Sequence, residues 1–276
     1  AAGCEKTEGP RPGAPVLVSL DVFDASGMPV ALTADGGPVL VPPRSHVVAL
    51  FDRLLDGSRL ESVTDAGTSG KPGVVALAAT GGAAQPQASL VYVPNGDTKF
   101  RLLFAPGPQL VVTPVPTLPA GASISLTLDK TQLVSKRGEG PCTTAPGVPD
   151  VLTFTTAPFA AVIEPGPPPP MSMPAPGSPL PLAANAPLTI VFNNLPEAAI
   201  ADRIVVTVTD SAGQTLVDGA APAVPSEMDP ATLLVLPKTG AWPAGARVAV
   251  TVNATAKDAL GMPIAAAAVE TFVVGP

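Results

Sequence analysis

Proline stands at 37 of the 276 positions, which rules out a fold built on long helices. Each proline inside a helix removes a main-chain hydrogen bond and drives its ring into the preceding turn. With 26 glycines as well, the chain approaches the composition of low-complexity disorder, yet 46% of its residues are hydrophobic, enough for a packed core. Those apolar residues recur at strand spacing. In Ser123-Ile124-Ser125-Leu126-Thr127-Leu128 the period is strictly two, the pattern of a strand with one buried and one wetted face.

Reading that period along the chain predicts strands at Val16–Phe23, His46–Phe51, Val74–Ala78, Leu90–Val93, Phe100–Phe104, Leu110–Thr113, Ala122–Leu128 and Val151–Thr155. A second series follows at Ala160–Ile163, Leu188–Phe192, Arg203–Thr209, Thr232–Leu236, Arg247–Val252 and Glu270–Val274. Short helical turns are expected only at Asp52–Leu60 and Pro196–Ala201. Many short alternating strands between turn residues define an all-β chain of the sandwich type.

An internal repeat sets the domain count. Leu118-Pro119-Ala120-Gly121, leading into Ala122–Leu128, aligns with Trp242-Pro243-Ala244-Gly245, leading into Ala246–Val252. Upstream, Val47–Phe51 aligns with Leu188–Phe192; downstream, Leu152–Thr155 aligns with Glu270–Val273. The same landmarks in the same order predict a tether at residues 1–14, one domain at 15–157 and a second at 158–276. The second domain carries a proline-rich segment at 164–181, in which Pro167–Pro170 favours a stiff polyproline II spacer.

Chemistry is hard to find. The one histidine, His46, opens a predicted strand and is read as a partly exposed edge residue; a single histidine makes neither a histidine-rich metal site nor a positioned triad. No nucleophile elbow, phosphate-binding glycine loop or EF-hand pattern is present. Asp52, Asp56, Glu61 and Asp65 read as a surface turn, and Gly36-Gly37 and Gly81-Gly82 as hairpin turns. A calcium ion at an interdomain loop would use Asp129, Asp150 or Asp258. Net charge is −7 with no basic cluster, which excludes nucleic acid as a partner, and no apolar run reaches the ~18 residues of a membrane helix. The chain is therefore expected not to be an enzyme and to need no cofactor.

Several short motifs carry a family resemblance. An apolar strand ends in phenylalanine before a polar turn, in Phe51-Asp52-Arg53-Leu54-Leu55-Asp56 and Phe192-Asn193-Asn194-Leu195-Pro196. A Pro-Ala-Gly turn opens an alternating strand in each half. Asp258-Ala259-Leu260-Gly261 then precedes a closing strand with Thr271-Phe272. Together these resemble the bacterial immunoglobulin-like domains of the S-layer and surface-lipoprotein (SbsA) type. The first half departs from the pattern in its corresponding loop, Val134-Ser135-Lys136-Arg137-Gly138, which carries extra residues with Cys142, and adds a hairpin at Asp24-Ala25-Ser26-Gly27-Met28-Pro29. The resemblance implies two tandem immunoglobulin-like sandwiches, with Phe51, Phe154, Phe192, Trp242 and Phe272 in the cores. Trp242 would cap the end of one.

The cysteines leave alternatives open. Ala1-Ala2-Gly3-Cys4 resembles the end of a bacterial lipoprotein signal, which would make Cys4 a lipid anchor and the chain's only attachment to a membrane. In an immunoglobulin-like sandwich the first and last strands run near each other, so Cys4 could instead reach Cys142 in a disulfide. Free thiols are the third alternative. The expected role is a non-catalytic, extracytoplasmic module of the cell surface, outer membrane or periplasm. It would bind other envelope proteins or itself, with a surface assembly or filament as its specific form; the low charge and a mean hydropathy of +0.38 point that way. The alternative is a monomeric ligand- or glycan-binding surface lipoprotein, stacking its ligand on Trp242 or Tyr92.

Overall fold

The computed structural model describes residues 12–34, 37–64, 67–70, 73–81, 84–94, 107–166, 179–216 and 219–275. Cys4, nearly all of the tether at 1–14, the strand expected at Phe100–Phe104 and the Pro167–Pro170 run lie outside these residues. The chain divides into two compact units. One holds residues 1–81, 85–118 and 122–157, the other 82–84, 119–121 and 158–276.

In the first unit the strands are β1 (Val16–Phe23), β2 (Pro29–Val30), β3 (Thr33–Ala34), β4 (Gly37–Pro38), β5 (His46–Phe51), β6 (Glu61–Thr64) and β7 (Gly67–Gly70). They are followed by β8 (Val75–Thr80), β9 (Gln87–Val93), β10 (Gln109–Val115), β11 (Ser123–Leu128), β12 (Thr143–Thr144) and β13 (Val151–Thr155). One sheet runs β12-β1-β5-β10-β9, with β2 added to β1; a second runs β13-β11-β8. Alternation explains why they close on each other. Val47, Ala49 and Phe51 of β5 and Leu110 and Val112 of β10 enter the same core as Ile124, Leu126 and Leu128 of β11 and Leu152 and Phe154 of β13. Two sheets with their apolar faces in one core make a sandwich.

In the second unit the strands are β14 (Ala161–Pro165), β15 (Leu180–Leu182), β16 (Leu188–Phe192), β17 (Ile204–Thr209) and β18 (Thr215–Leu216). The rest are β19 (Val224–Pro225), β20 (Thr232–Val235), β21 (Arg247–Val252) and β22 (Ala268–Val274). The sheets run β14-β16-β20-β19 and β15-β22-β21-β17-β18. Leu188, Ile190 and Phe192 from one and Val248, Val250, Val252, Phe272 and Val274 from the other share a second core. The proline-rich segment begins in β14 and ends in β15. β14 pairs antiparallel with β16 and β15 parallel with β22, so the chain changes sheet across it.

Several expectations need correction. His46 is not on an edge: β5 lies between β1 and β10, and the imidazole is half-buried, stacked on Phe23 at 5.7 Å. The helical turn expected over Asp52–Leu60 shrinks to a 3₁₀ turn at Gly57–Arg59, and the one at Pro196–Ala201 sits at Ile200–Arg203. Glu61 belongs to no turn; it starts the β6–β7 hairpin. Gly37 lies in β4 rather than in the hairpin turn itself.

Candidate functional site

The polar chemistry of the described residues is concentrated in turns. Asp258 follows a recurrent design. Its Oδ1 accepts from the main-chain N–H of Leu260 (3.0 Å) and Met262 (2.8 Å), its own N–H donates to the Met262 carbonyl (2.8 Å), and Gly261 donates back to its carbonyl (3.0 Å). Gly261 sits at φ +87°, a left-handed conformation that costs glycine nothing. Asp24 builds the same turn on Ser26 and Met28, with Gly27 at φ +81°, and Asp210 builds it on Ala212 and Gln214, with Gly213 at φ +85°. The Ser26 hydroxyl and the Met28 N–H hold the Asp24 carboxyl below its usual pKa.

Asp258 differs in being 1% exposed. A buried carboxylate needs partners for both oxygens, and Asn194, itself fully buried, donates from Nδ2 to Oδ2 at 2.9 Å. Such a carboxylate is committed to holding its loop. The other acidic residues considered for calcium are committed too. Asp129 accepts from the N–H and hydroxyl of Thr131, and Asp150 pairs with Lys130. Among the described residues no three His, Cys, Asp or Glu side chains gather to hold a metal.

The aromatic residues singled out from sequence are core. Phe51, Phe154, Phe192 and Phe272 are buried, and Phe192 stacks on Phe159 at 5.4 Å. Trp242 is 1% exposed, with Nε1 donating to the Ala186 carbonyl at 2.7 Å, so its ring offers no surface to a sugar. The Tyr92 hydroxyl accepts from the Leu55 N–H at 2.8 Å. Cys142 carries a free, buried thiol whose pKa burial raises to about 11; its expected partner, Cys4, lies outside the described residues. Burial also lowers the pKa of His46, against an opposing pull from Asp24. At Asp52 partial burial pushes the pKa up, but hydrogen bonds from Arg53 and the Val16 N–H outweigh it and leave it lowered. Asp52 lies near enough to Cys142 to help raise its pKa, while Lys130 opposes it.

A cleft of about 440 Å³ opens beside β17 and β18, lined by Ile204, Val206, Val208 and Leu216, with Asp202 and Lys238 among its residues. Its walls are otherwise small and apolar, and no histidine, cysteine or glutamate lines it.

The outer sheet faces are distinctive. On β13-β11-β8 the outward residues pair in three rows: Thr155, Ser123 and Thr80; Thr153, Ser125 and Ala78; Val151, Thr127 and Ala76. Eight of these nine are exposed and Ser125 is half-buried, yet none is charged. On β22-β21-β17 the corresponding rows are Val273, Arg247 and Thr209; Thr271, Ala249 and Thr207; Val269, Thr251 and Val205. Arg247 is the one charge there, and Val205 and Val269 are 49% and 62% exposed.

Three roles were missed from sequence: those of Ser135, Asn194 and Gln85, whose carboxamide bonds both main-chain groups of Ala79. Ser135 and Asn194 stand in the loop and polar-turn motifs read above, whereas Gln85 left no signal.

No protein-family model matches the chain, and no curated protein matches it. Among solved structures, it is similar to the crystal structure of the N-terminal part of the bacterial S-layer protein SbsC. That similarity has 14% identity and a TM-score of 0.28 and covers 95% of this chain but only 44% of that one, so this chain spans less than half of that protein's length.

Proposed function

We propose that this protein is a non-catalytic, extracytoplasmic module of the bacterial cell envelope, made of two tandem immunoglobulin-like sandwiches and working by association through its sheet faces. The strand pairings support the domain reading. β1-β5-β10 against β13-β11-β8, and β14-β16-β20 against β22-β21-β17, follow one plan, and β15 joins β22 in parallel as a split first strand does. Buried polar side chains at Ser135, Asn194 and Asp258 are engaged in holding turns, which supports a structural use for them.

The observation that carries the reading is the uncharged outer face of β13-β11-β8. Soluble proteins usually cover an exposed sheet face with charge, which keeps neighbours apart. A plane of Ser, Thr, Ala and Val has no charge to desolvate, and its hydroxyls can bond those of a like plane. Partners are other envelope proteins or further copies of this chain, and the attachment to a membrane is a lipid on Cys4.

Size-exclusion chromatography with light scattering tests this over a wide concentration range. The expected result is a mass that climbs with concentration in the wild type. It should fall back to one chain when Thr127 and Thr153 are both changed to Lys, at an unchanged unfolding midpoint. A wild type that stays monomeric throughout, or a double variant that assembles as before, contradicts association through this face.

A further inference from the structure

The strand β8 forms an edge. β11 pairs along one side, and among the described residues no strand pairs along the other. An open edge offers main-chain donors and acceptors to any passing strand, and proteins guard such edges with charge, proline or bulges. Val75-Ala76-Leu77-Ala78-Ala79-Thr80 has no charge and no proline, and its pairing to β11 runs without a register break.

What lies on this edge instead is one side chain. Gln85 Nε2 donates to the Ala79 carbonyl at 2.9 Å, while its Oε1 accepts from the Ala79 N–H at 2.9 Å. A carboxamide presents the same donor and acceptor as a peptide group, so Gln85 occupies the edge as one residue of a partner strand would. By the two-residue period, the N–H and C=O of Val75 and Leu77 point the same way as those of Ala79.

We propose that the β8 edge is a self-pairing surface for a second copy of this chain, held shut by Gln85. A second copy fits because an antiparallel β8–β8 pair is two-fold symmetric, each strand meeting its own sequence. The uncharged outer face of β13-β11-β8 adds to this, since doubling the sheet to six strands brings no like charges together. The half-buried Val75 and Leu77 would continue the apolar inner face across the junction. This inference does not depend on the proposed function, because the wild-type mass at each concentration is the reference.

The test is Gln85→Ala, followed by light scattering and circular dichroism, with amide hydrogen exchange on the wild type. Freeing both Ala79 groups should tighten self-association by roughly ten-fold or more. Adding Val75→Pro, which removes an edge N–H at the start of β8 without placing a charge on the outer face, should return the mass to the wild-type value. At a concentration where the wild type is a single chain, the Ala79 amide should be protected while the Leu77 amide exchanges freely. A folded Gln85→Ala protein with wild-type mass overturns the proposal. So does a protected Leu77 amide, a readout that stands even if the variant fails to fold.

Discussion

Two turns at matching places in the two units use different chemistry. In the second unit Asp258 forms a bridge with Pro196, and in the first Ser135 forms one with Leu55. Both residues are 1% exposed. The main chain is nearly the same in each. Ser135 N–H donates to the Glu139 carbonyl at 2.8 Å, Gly138 donates back to Ser135 at 2.7 Å, and Gly138 sits at φ +82°. The acceptor differs: the Ser135 hydroxyl takes the N–H groups of Arg137 and Glu139 at 3.3 and 3.2 Å, longer than the bonds to the Asp258 carboxylate. Thus the glycine and the main-chain bonds define the turn, and the acceptor is interchangeable. Interchange has a condition, however. A buried carboxylate brings a second oxygen that must be satisfied, so Asp258 comes with Asn194 and the Ala120 N–H, while the neutral serine has one oxygen and turns its hydroxyl proton toward Glu139 Oε2 at 3.5 Å.

That comparison can be broken most severely at Asp258. Asp258→Ala strands the main-chain N–H groups of Leu260, Met262 and Ala120 and the buried Asn194 amide, and we expect a loss of about 4 kcal/mol in denaturant titration. The paired change Asp258→Ser with Asn194→Leu, which copies the neutral design, should recover part of it. Equal losses for both variants would show that the carboxylate is irreplaceable.

The next effect sharpens the contrast between the units, because only the first holds a buried thiol. The folded pKa of Cys142 is raised above the unfolded one. Its contribution is therefore complete below pH 9.0 and disappears as pH rises through about 11. The loss should reach about 3 kcal/mol, visible as an alkaline fall in stability that Cys142→Ala abolishes.

Smaller still is Ser135→Ala, which removes three long bonds of a neutral hydroxyl, two accepted and one donated, and should cost about 1 kcal/mol. Ser135→Asp should cost more than Ser135→Ala, since no amide stands ready for its second oxygen. The smallest effect belongs to Asp24, the exposed version of the turn. Its carboxyl pKa is lowered on folding, so its contribution is present above pH 3.8 and lost as pH falls below that value. Asp24→Asn should lower the plateau above pH 3.8 slightly and flatten the acid limb of the stability profile.

Much of the fold was legible because alternation is a strong signal in strands of five or more residues. Val16–Phe23, His46–Phe51, Val151–Thr155, Leu188–Phe192 and Arg247–Val252 all lie where the period put them. The short strands β12, β15, β18 and β19 escaped, because two or three residues cannot display a period and their position depends on the neighbour that pairs with them. His46 was misplaced for a related reason: alternation says which residues form a strand but not which strands flank it. The Ser135 loop was located as the counterpart of the Asp258 loop, but its bonding was not, since an expectation keyed to aspartate passes over a hydroxyl doing the same task. Gln85 lies outside any repeating pattern, and only three-dimensional proximity reveals that its amide meets Ala79.

The hydroxyl and methyl rows on β13-β11-β8 have one more consequence. Contacts made there contain no ionisable group, so neither brine nor acid can loosen them by screening or protonation. A coat joined across such planes would hold with similar strength in fresh water and in the sea, and only solvents that compete for hydroxyls and methyls would take it apart.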